Sequence, residues 1–319
     1  MPLVLAQGEL LEEILDATYP VWNEGLTRAA YGQWNAAQMR TPWGQEHLHR
    51  FALVDGRGRL LATAKRYRYD VRLDGRDAWM CGLGAVFAPP ERRGQGHAAE
   101  LIRQLLEQER VAGAAMAALF SEIGEDYYRR LGFEAVPLDE VRLELIAKSG
   151  TPAMLVRAGA ERDLPDIAAM HDVRSASARF ALRREPAQIQ YALSKKRMFS
   201  GLSTAGARHT EFFVAEEGAS AVAYVVIAVS GEDWTIEEAG DRDPAGARLG
   251  AMLQVLVARE PSQRRPVMRA WWPAGFPVPP QVRIAARAAA RDVLMVRPLA
   301  EIGAPLRAED VFYWRSDYF

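Results

Sequence analysis

The sequence predicts a mixed α/β fold laid down twice in tandem. Three observations carry this. Runs with apolar residues at every second position alternate with runs repeating every three to four. One strong helical pattern separates two strand-like runs, as a crossover between parallel strands requires. After Ala147-Lys148-Ser149-Gly150-Thr151-Pro152, a linker by composition, the succession of elements begins again. A chain of 319 residues also suits two domains, expected at residues 1–148 and 153–319.

The elements follow in order. Glu9 to Trp22 places Leu10, Leu11, Ile14 and Leu15 on one helical face. A polar, Trp-rich stretch from Asn23 to His49 receives no element. Arg50 to Val54 and Arg59 to Val71 alternate as strands around the turn signal Asp55-Gly56, and Asp74-Gly75 leads into a strand from Ala78 to Phe87. Pro89 and Pro90 end that strand. A helix from Gly96 to Ala112 repeats Ala98, Leu101, Ile102, Leu105 and Leu106. A strand at Ala115 to Phe120, a short helix ending near Leu131 and strands near Phe133 and at Val141 to Ile146 complete the first half.

In the second half, Met154 to Arg157 reads as a strand and Asp163 to Val173 as a helix with an early proline. Strands follow at Glu211 to Glu216, Ala221 to Ser230 and Trp234 to Ala239, then a helix from Ala245 to Arg259. Val267 to Trp272 is strand-like, Val282 to Arg291 helical and Val293 to Pro298 strand-like, and Val311 to Trp314 follows as the last segment.

Composition bounds the function. Hydrophobic residues make up 49% and charged residues 25%, with a formal charge of -1, so bulk electrostatics favours neither nucleic acid nor an anionic membrane as partner. The single cysteine, Cys81, allows no disulfide or thiolate cluster within the chain. The opening MPLVLAQGELLEEIL has acidic residues where a signal peptide would be basic and apolar. No run approaches the ~20 apolar residues of a membrane span. The expectation is a cytoplasmic protein; a homo-oligomer is left open. His47, His49, His97, His171 and His209 show no metal-ligand spacing, and no metal is expected.

Two motifs carry chemistry. Arg93-Gly94-Gln95-Gly96-His97-Ala98 follows a strand and opens a helix. Helix-start amides attract phosphate oxygens, glycines let the backbone approach closely, and Arg92 and Arg93 add charge. The same residues also suit a plain strand-to-helix turn. Downstream lies Ser121-Glu122-Ile123-Gly124-Glu125-Asp126-Tyr127-Tyr128-Arg129-Arg130-Leu131-Gly132-Phe133.

Together these resemble the GNAT (general N-acetyltransferase) superfamily. Its Arg/Gln-x-x-Gly-x-Gly/Ala signature is met by Arg93, Gly96 and Ala98, and its aromatic-Tyr-x-x-aliphatic-Gly-Phe string by Tyr127, Tyr128, Leu131, Gly132 and Phe133. The match covers roughly residues 1 to 147. Ser-Glu-Ile-Gly before the tyrosines resembles fungal-type lysine N-acetyltransferases, and the tandem layout resembles the enhanced-intracellular-survival (Eis-type) acetyltransferases.

The resemblance implies a GNAT fold with acetyl-CoA as co-substrate. Its pyrophosphate would lie on the amides of Gly94, Gln95, Gly96, His97 and Ala98, near Arg92 and Arg93, and its pantetheine arm along Ala85, Val86 and Phe87. Tyr128 matches the acid that assists the leaving thiolate. A lysine-like amine with a pKa of about 10.4 must lose a proton, at about 4.6 kcal/mol at pH 7, so a base helps. Glu122 is one candidate base and otherwise a surface carboxylate. The other is the terminal carboxylate of Phe319, because Eis-type chain ends reach the active site; the aromatic tail Val311 to Phe319 could instead only complete the second sheet. Trp22, Trp34 and Trp43, with Tyr31 and Met39, could wall an amine pocket or simply pack the core. Cys81 reads as inert core.

The second half has Gly240-Asp241-Arg242-Asp243-Pro244-Ala245-Gly246 where a pyrophosphate loop would stand, and two aspartates there would repel phosphate. It is expected to be a degenerate copy. The expected activity is acetyl transfer to a primary amine such as a small amine or a lysine-like molecule. Protein lysine or N-terminal acetylation, and CoA binding for regulation or scaffolding without turnover, are the alternatives.

Overall fold

The computed structural model describes residues 1–146, 154–204, 208–261 and 266–319. The expected linker at 147–152 lies outside the described residues. The chain begins with β1 (Leu3–Leu5), α1 (Gly8–Trp22), α2 (Arg28–Arg40), α3 (Pro42–His47), β2 (Leu48–Val54), β3 (Leu60–Leu73) and β4 (Arg76–Phe87). Then come α4 (His97–Val111), β5 (Met116–Ser121), α5 (Asp126–Arg129), β6 (Glu134–Val136), β7 (Asp139–Leu145) and β8 (Val156–Ala158). α6 (Leu164–Ser175), β9 (Phe180–Leu182), α7 (Pro186–Leu202), β10 (His209–Glu217), β11 (Ser220–Ser230) and β12 (Asp233–Asp241) follow. α8 (Ala247–Arg259), β13 (Val267–Trp271), β14 (Val282–Ala289), β15 (Val293–Pro298) and β16 (Val311–Phe312) complete it.

Two compact units divide the chain, and not at the expected 148–153 boundary. Unit 1 comprises Met1–Pro137, Arg291–Leu306 and Phe319; unit 2 comprises Leu138–Ala290 and Arg307–Tyr318. The reason lies in the ladders. β7, expected as the last strand of the first domain, pairs with β13 and β14. β15, expected in the second, pairs with β5 and β6. A buried strand belongs where its N–H and C=O groups find partners.

Unit 1 has a mixed sheet in the order β1-β2-β3-β4-β5-β15-β6. Among the strands of this order β4 and β5 run parallel, with α4 between them in sequence. Successive strand residues point to opposite faces. Leu53 therefore joins Leu101, Ile102, Leu105 and Leu106 of α4, while Ala52 joins Ile14 of α1. At the β3–β4 turn Asp74 and Gly75 both have positive φ, 50° and 75°, as a type I′ hairpin needs.

The stretch read as irregular, Asn23 to His49, contains α2 and α3. Thr27 caps α2 by accepting from Ala30 N–H, and Thr41 caps α3 by accepting from Gly44 N–H, with Pro42 in its first turn. Gly32 and Asn35 inside α2 interrupt its apolar stripe and hide it from a periodicity reading.

Unit 2 repeats the plan as β14-β7-β13-β12-β11-β10-β8, with α8 between the parallel strands β12 and β13. Two expectations fail here. Val282 to Arg291, read as helical, contains β14 on the sheet edge, paired antiparallel to β7. Ladder bonds override local helix propensity there. α7 and β9, in a segment given no element, are the other departure.

Candidate active site

The parallel ladder of unit 1 runs from Met80↔Met116 to Leu83↔Leu119 and stops, although β4 continues to Phe87 and β5 to Ser121. Just past that point, the β4 register against β3 shifts between Gly84 and Phe87, and Ala85 takes a left-handed φ of 47°. A non-glycine residue held there marks a bulge that re-aims the strand. The end of β4, carrying the expected pantetheine residues Ala85, Val86 and Phe87, thus continues past its last pairing with β5. It is a strand edge suited to an extended ligand.

Beyond Phe87 the chain passes a short turn at Pro90–Arg92 and enters α4 through Gly94 and Gly96, with φ of 74° and 80°. Gly96 is the cap and provides no side-chain cap bond. The amides that open α4 therefore have no partner within the helix. Nothing lies within 4 Å of where a Cβ would stand on Gly94 or Gly96. Arg93 donates to Ala88 O (3.2 Å) and its guanidinium lies 5.8 Å from the Phe87 ring centroid. Gln95 donates to Glu91 O, and His97 Nε2 lies 3.2 Å from Gln95 Oε1. Arg92 borders a cavity of about 400 Å³ with Arg59, Glu13, Glu91 and Pro89. The helix-start amides and two arginines suit a pyrophosphate.

Tyr128 sits on α5, buried, edge-on to Tyr127 and Phe133 at 5.0 and 6.0 Å. Burial pushes its hydroxyl up to about 12, with Tyr127 and Glu122 adding to the rise. Glu122, just past β5, is exposed. A phenol at about 12 stays protonated at neutral pH. It stands 3 to 4 units above an ordinary thiol at about 8.5, so full proton transfer to a thiolate would be uphill by about 5 kcal/mol.

Phe319 is packed into unit 1. Its ring lies 5.3 Å from Tyr67, 5.3 Å from Tyr69 and 5.5 Å from Phe120. Gly82 and Gly84 make the space: a Cβ on Gly82 would stand 2.9 Å from Phe319 Cε2, and one on Gly84 3.1 Å from its main-chain carbon. The reading that the tail only completes the second sheet does not hold: Phe319 belongs to unit 1, and β16 pairs with β9, outside the β14-β7-β13-β12-β11-β10-β8 sheet. Sequence reasoning passed over Gly82 and Gly84. A glycine inside a strand pattern was the available signal, since it marks close approach of another chain segment.

The three tryptophans lie in α1 to α3. Trp22 meets Phe87 edge-on at 6.0 Å, Trp34 lies 5.4 Å from Lys65 Nζ, and Trp43 stacks between His47 and Tyr69 at 4.9 and 5.1 Å. Cys81 is fully buried, and burial raises its thiol well above the ordinary range, in keeping with inert core.

Unit 2 treats its corresponding helix start differently. Gly246 caps α8 with φ of 71°, but the Asp241 carboxylate accepts from Leu249 N–H (2.7 Å) and Asp243 N–H (2.8 Å). Arg174 donates to the main-chain carbonyls of Asp241, Asp243 and Pro244. A Cβ on Gly250 would stand 2.0 Å from Gln281 Oε1.

A mixed sheet that opens after one parallel pair, beside a glycine-lined helix start, defines an α/β domain suited to a phosphorylated, extended substrate. Residues 12–136 match the family model described as "Acetyltransferase (GNAT) domain". That match takes in most of unit 1, and it is to this domain that the chain is similar. Its fold is similar to that of a GCN5-related N-acetyltransferase from Kribbella flavida, at TM-score 0.69 and 19% identity over 93% of this chain and 70% of that one. A probable N-acyltransferase from Enterococcus faecalis V583 gives 0.66 and 15%, covering 93% and 72%. Eis1 from Mycobacterium abscessus gives 0.59 and 13%, covering 94% and 74%. No curated protein sequence matches the chain.

Proposed function

We propose that unit 1 transfers an acetyl group from acetyl-CoA to a primary amine by direct attack. The observation that carries this reading is the β4 edge left beyond Leu83, bulged at Ala85, leading straight to the glycine-capped start of α4. In this reading the amides of Gly94 to Ala98, with Arg92 and Arg93, hold the pyrophosphate, and Ala85 to Phe87 pair with the pantetheine arm. The amine nitrogen attacks the thioester carbonyl, the C–S bond breaks, and the Tyr128 hydroxyl hydrogen-bonds the departing sulfur. The attacking nitrogen gives its proton to a base, for which Phe319 and Glu122 are the candidates. Phe319 has the better support, because its main-chain carbon lies against Gly84 at the end of the parallel ladder. Trp22, Trp34 and Trp43 wall the acceptor. Unit 2, whose helix start is occupied by Asp241, takes no CoA.

The test is a calorimetric titration of acetyl-CoA into the full chain. One site per chain is expected, abolished by Gly96→Val, because a β-branched residue does not tolerate a φ of 80°. Two sites would overturn the reading of unit 2. An absence of binding would overturn the reading of unit 1, and binding without turnover of any amine would leave a CoA-responsive regulator.

A further inference from the structure

On the sheet face of unit 1 that carries Ala52 beneath α1 stands a buried cation without a partner. Arg50, on β2, is 2% exposed, and both Nη1 and Nη2 are buried with no hydrogen-bond partner among the described residues. Burial lowers its proton affinity, and Tyr31 and Tyr67 stand close enough to act electrostatically against that. Its cross-strand neighbour on β3 is a second cation, Lys65, itself 7% exposed. Directly opposite residues of an antiparallel pair share a face, and like charges there are destabilising. The next residue across that row is Gly84 on β4, against which Phe319 packs. One row of the sheet therefore reads guanidinium, ammonium, glycine, and ends where the parallel ladder opens.

Folding gains nothing from a buried guanidinium with two bare donors. Two parallel N–H donors are, however, the complement of an oxyanion. We propose that Arg50, with Lys65 beside it, forms an oxyanion subsite for the acceptor, so that the amine taken by unit 1 carries a carboxylate or phosphate at its far end. The inference rests on the acyltransferase reading of unit 1. Arg50 and Gly84 are two strand spacings apart, roughly 10 Å, which puts oxyanion and reacting nitrogen on the order of 5–10 Å apart. An α-amino acid is too short for this, whereas an ω-amino acid of the length of 6-aminohexanoate reaches.

Two measurements on the full chain test it, one independent of turnover. In thermal unfolding, hexanoate and 6-aminohexanoate are expected to raise the midpoint of the wild type saturably and leave that of Arg50→Met unmoved. Arg50→Met itself is expected to be folded and at least as stable as wild type without ligand, since it removes an unpaired buried charge. In the acetyl transfer assay, followed by release of the CoA thiol, kcat/KM for 6-aminohexanoate is expected to exceed that for hexylamine by about tenfold or more. That ratio is expected to collapse in Arg50→Met and partly recover in Arg50→Lys. A preference for 3-aminopropyl phosphate over 6-aminohexanoate, lost in Arg50→Met, would keep the subsite and assign it to phosphate. Equal use of 6-aminohexanoate and hexylamine, with no anion-dependent midpoint shift, would overturn the inference and leave the acyltransferase reading standing. If acetyl-CoA does not bind, that underlying reading falls, and the midpoint shift still decides the subsite.

Discussion

Replacing Gly82 with Ala tests whether Phe319 is seated over β4. The added Cβ would stand 2.9 and 3.0 Å from Cε2 and Cζ of Phe319 and 3.2 Å from Cε2 of Tyr69. Carbon atoms in good contact sit roughly 3.5–4.0 Å apart, so something must move by about half an ångström or more. The Phe319 ring cannot slide freely, because Tyr67, Tyr69 and Phe120 hold it at centroid distances of 5.3, 5.3 and 5.5 Å. Overpacking of this kind costs about 1–3 kcal/mol. Phe319→Ala removes the two closest atoms and leaves only the Tyr69 contact, which can give by a few tenths of an ångström. In that background Gly82→Ala is expected to cost less than about 1 kcal/mol. The double-mutant cycle should therefore show a coupling of about 1–2 kcal/mol, while Phe319→Ala alone costs about 3 kcal/mol as a buried ring lost. Urea unfolding followed by tryptophan fluorescence, read as midpoint shifts at constant slope, measures all four corners. Additivity within about 0.5 kcal/mol would refute the seating of Phe319 on Gly82 and, with it, the placing of that residue at the active site.

Tyr128→Phe is expected to lower kcat by about 10²- to 10³-fold, the loss of one hydrogen bond to developing charge, while leaving the acetyl-CoA dissociation constant nearly unchanged; a weakened Kd with an intact kcat would assign Tyr128 to packing instead. A pH effect is expected at Asp317 in unit 2, whose carboxyl is raised from 3.8 to about 6, first by burial, with Arg184 opposing and Glu238 adding. A raised carboxyl favours the protonated folded state, so its contribution is fully present below 3.8 and is lost as pH rises through about 6. The stability of Asp317→Asn relative to wild type should accordingly increase between these values, as thermal unfolding over a pH series would show; a flat or opposite trend would mean that Arg184, 3.3 Å from Asp317, dominates.

Much of unit 1 was legible in sequence because its signals are local. The Asp74-Gly75 turn, the proline stop at Pro89 and Pro90 and the apolar stripe of α4 each encode their own geometry. Gly94 and Gly96, which lead into α4, need no distant partner to take positive φ. What stayed hidden depends on partners far along the chain. Nothing within Val293 to Pro298 says that β5 and β6 will pair with it, and nothing within Ala-rich β14 says that β7 will hold it extended. Arg50 shows the same limit. In sequence it is a polar residue opening a strand, and only the register Arg50↔Lys65↔Gly84 makes it part of a row across the sheet.

The two helix starts show how one plan yields an open end in one place and a closed end in another. Gly96 and Gly246 hold nearly the same backbone, with φ of 80° and 71°, so the fold alone does not distinguish them. The difference lies in what meets the helix-start amides. In unit 2 the chain supplies its own anion: Asp241 takes Leu249 N–H at 2.7 Å, and Gln281 lies where any side chain on Gly250 would go. A phosphate there would have to displace a bonded carboxylate and then face Asp243 as well. In unit 1 no side chain caps the helix, the space over Gly94 and Gly96 is open, and Arg92 and Arg93 flank the turn together with Glu91. The aspartates of Gly240 to Gly246 are thus more than missing motif letters. They satisfy the same electrostatic demand that a pyrophosphate would, and that is the physical reason to expect a single CoA site.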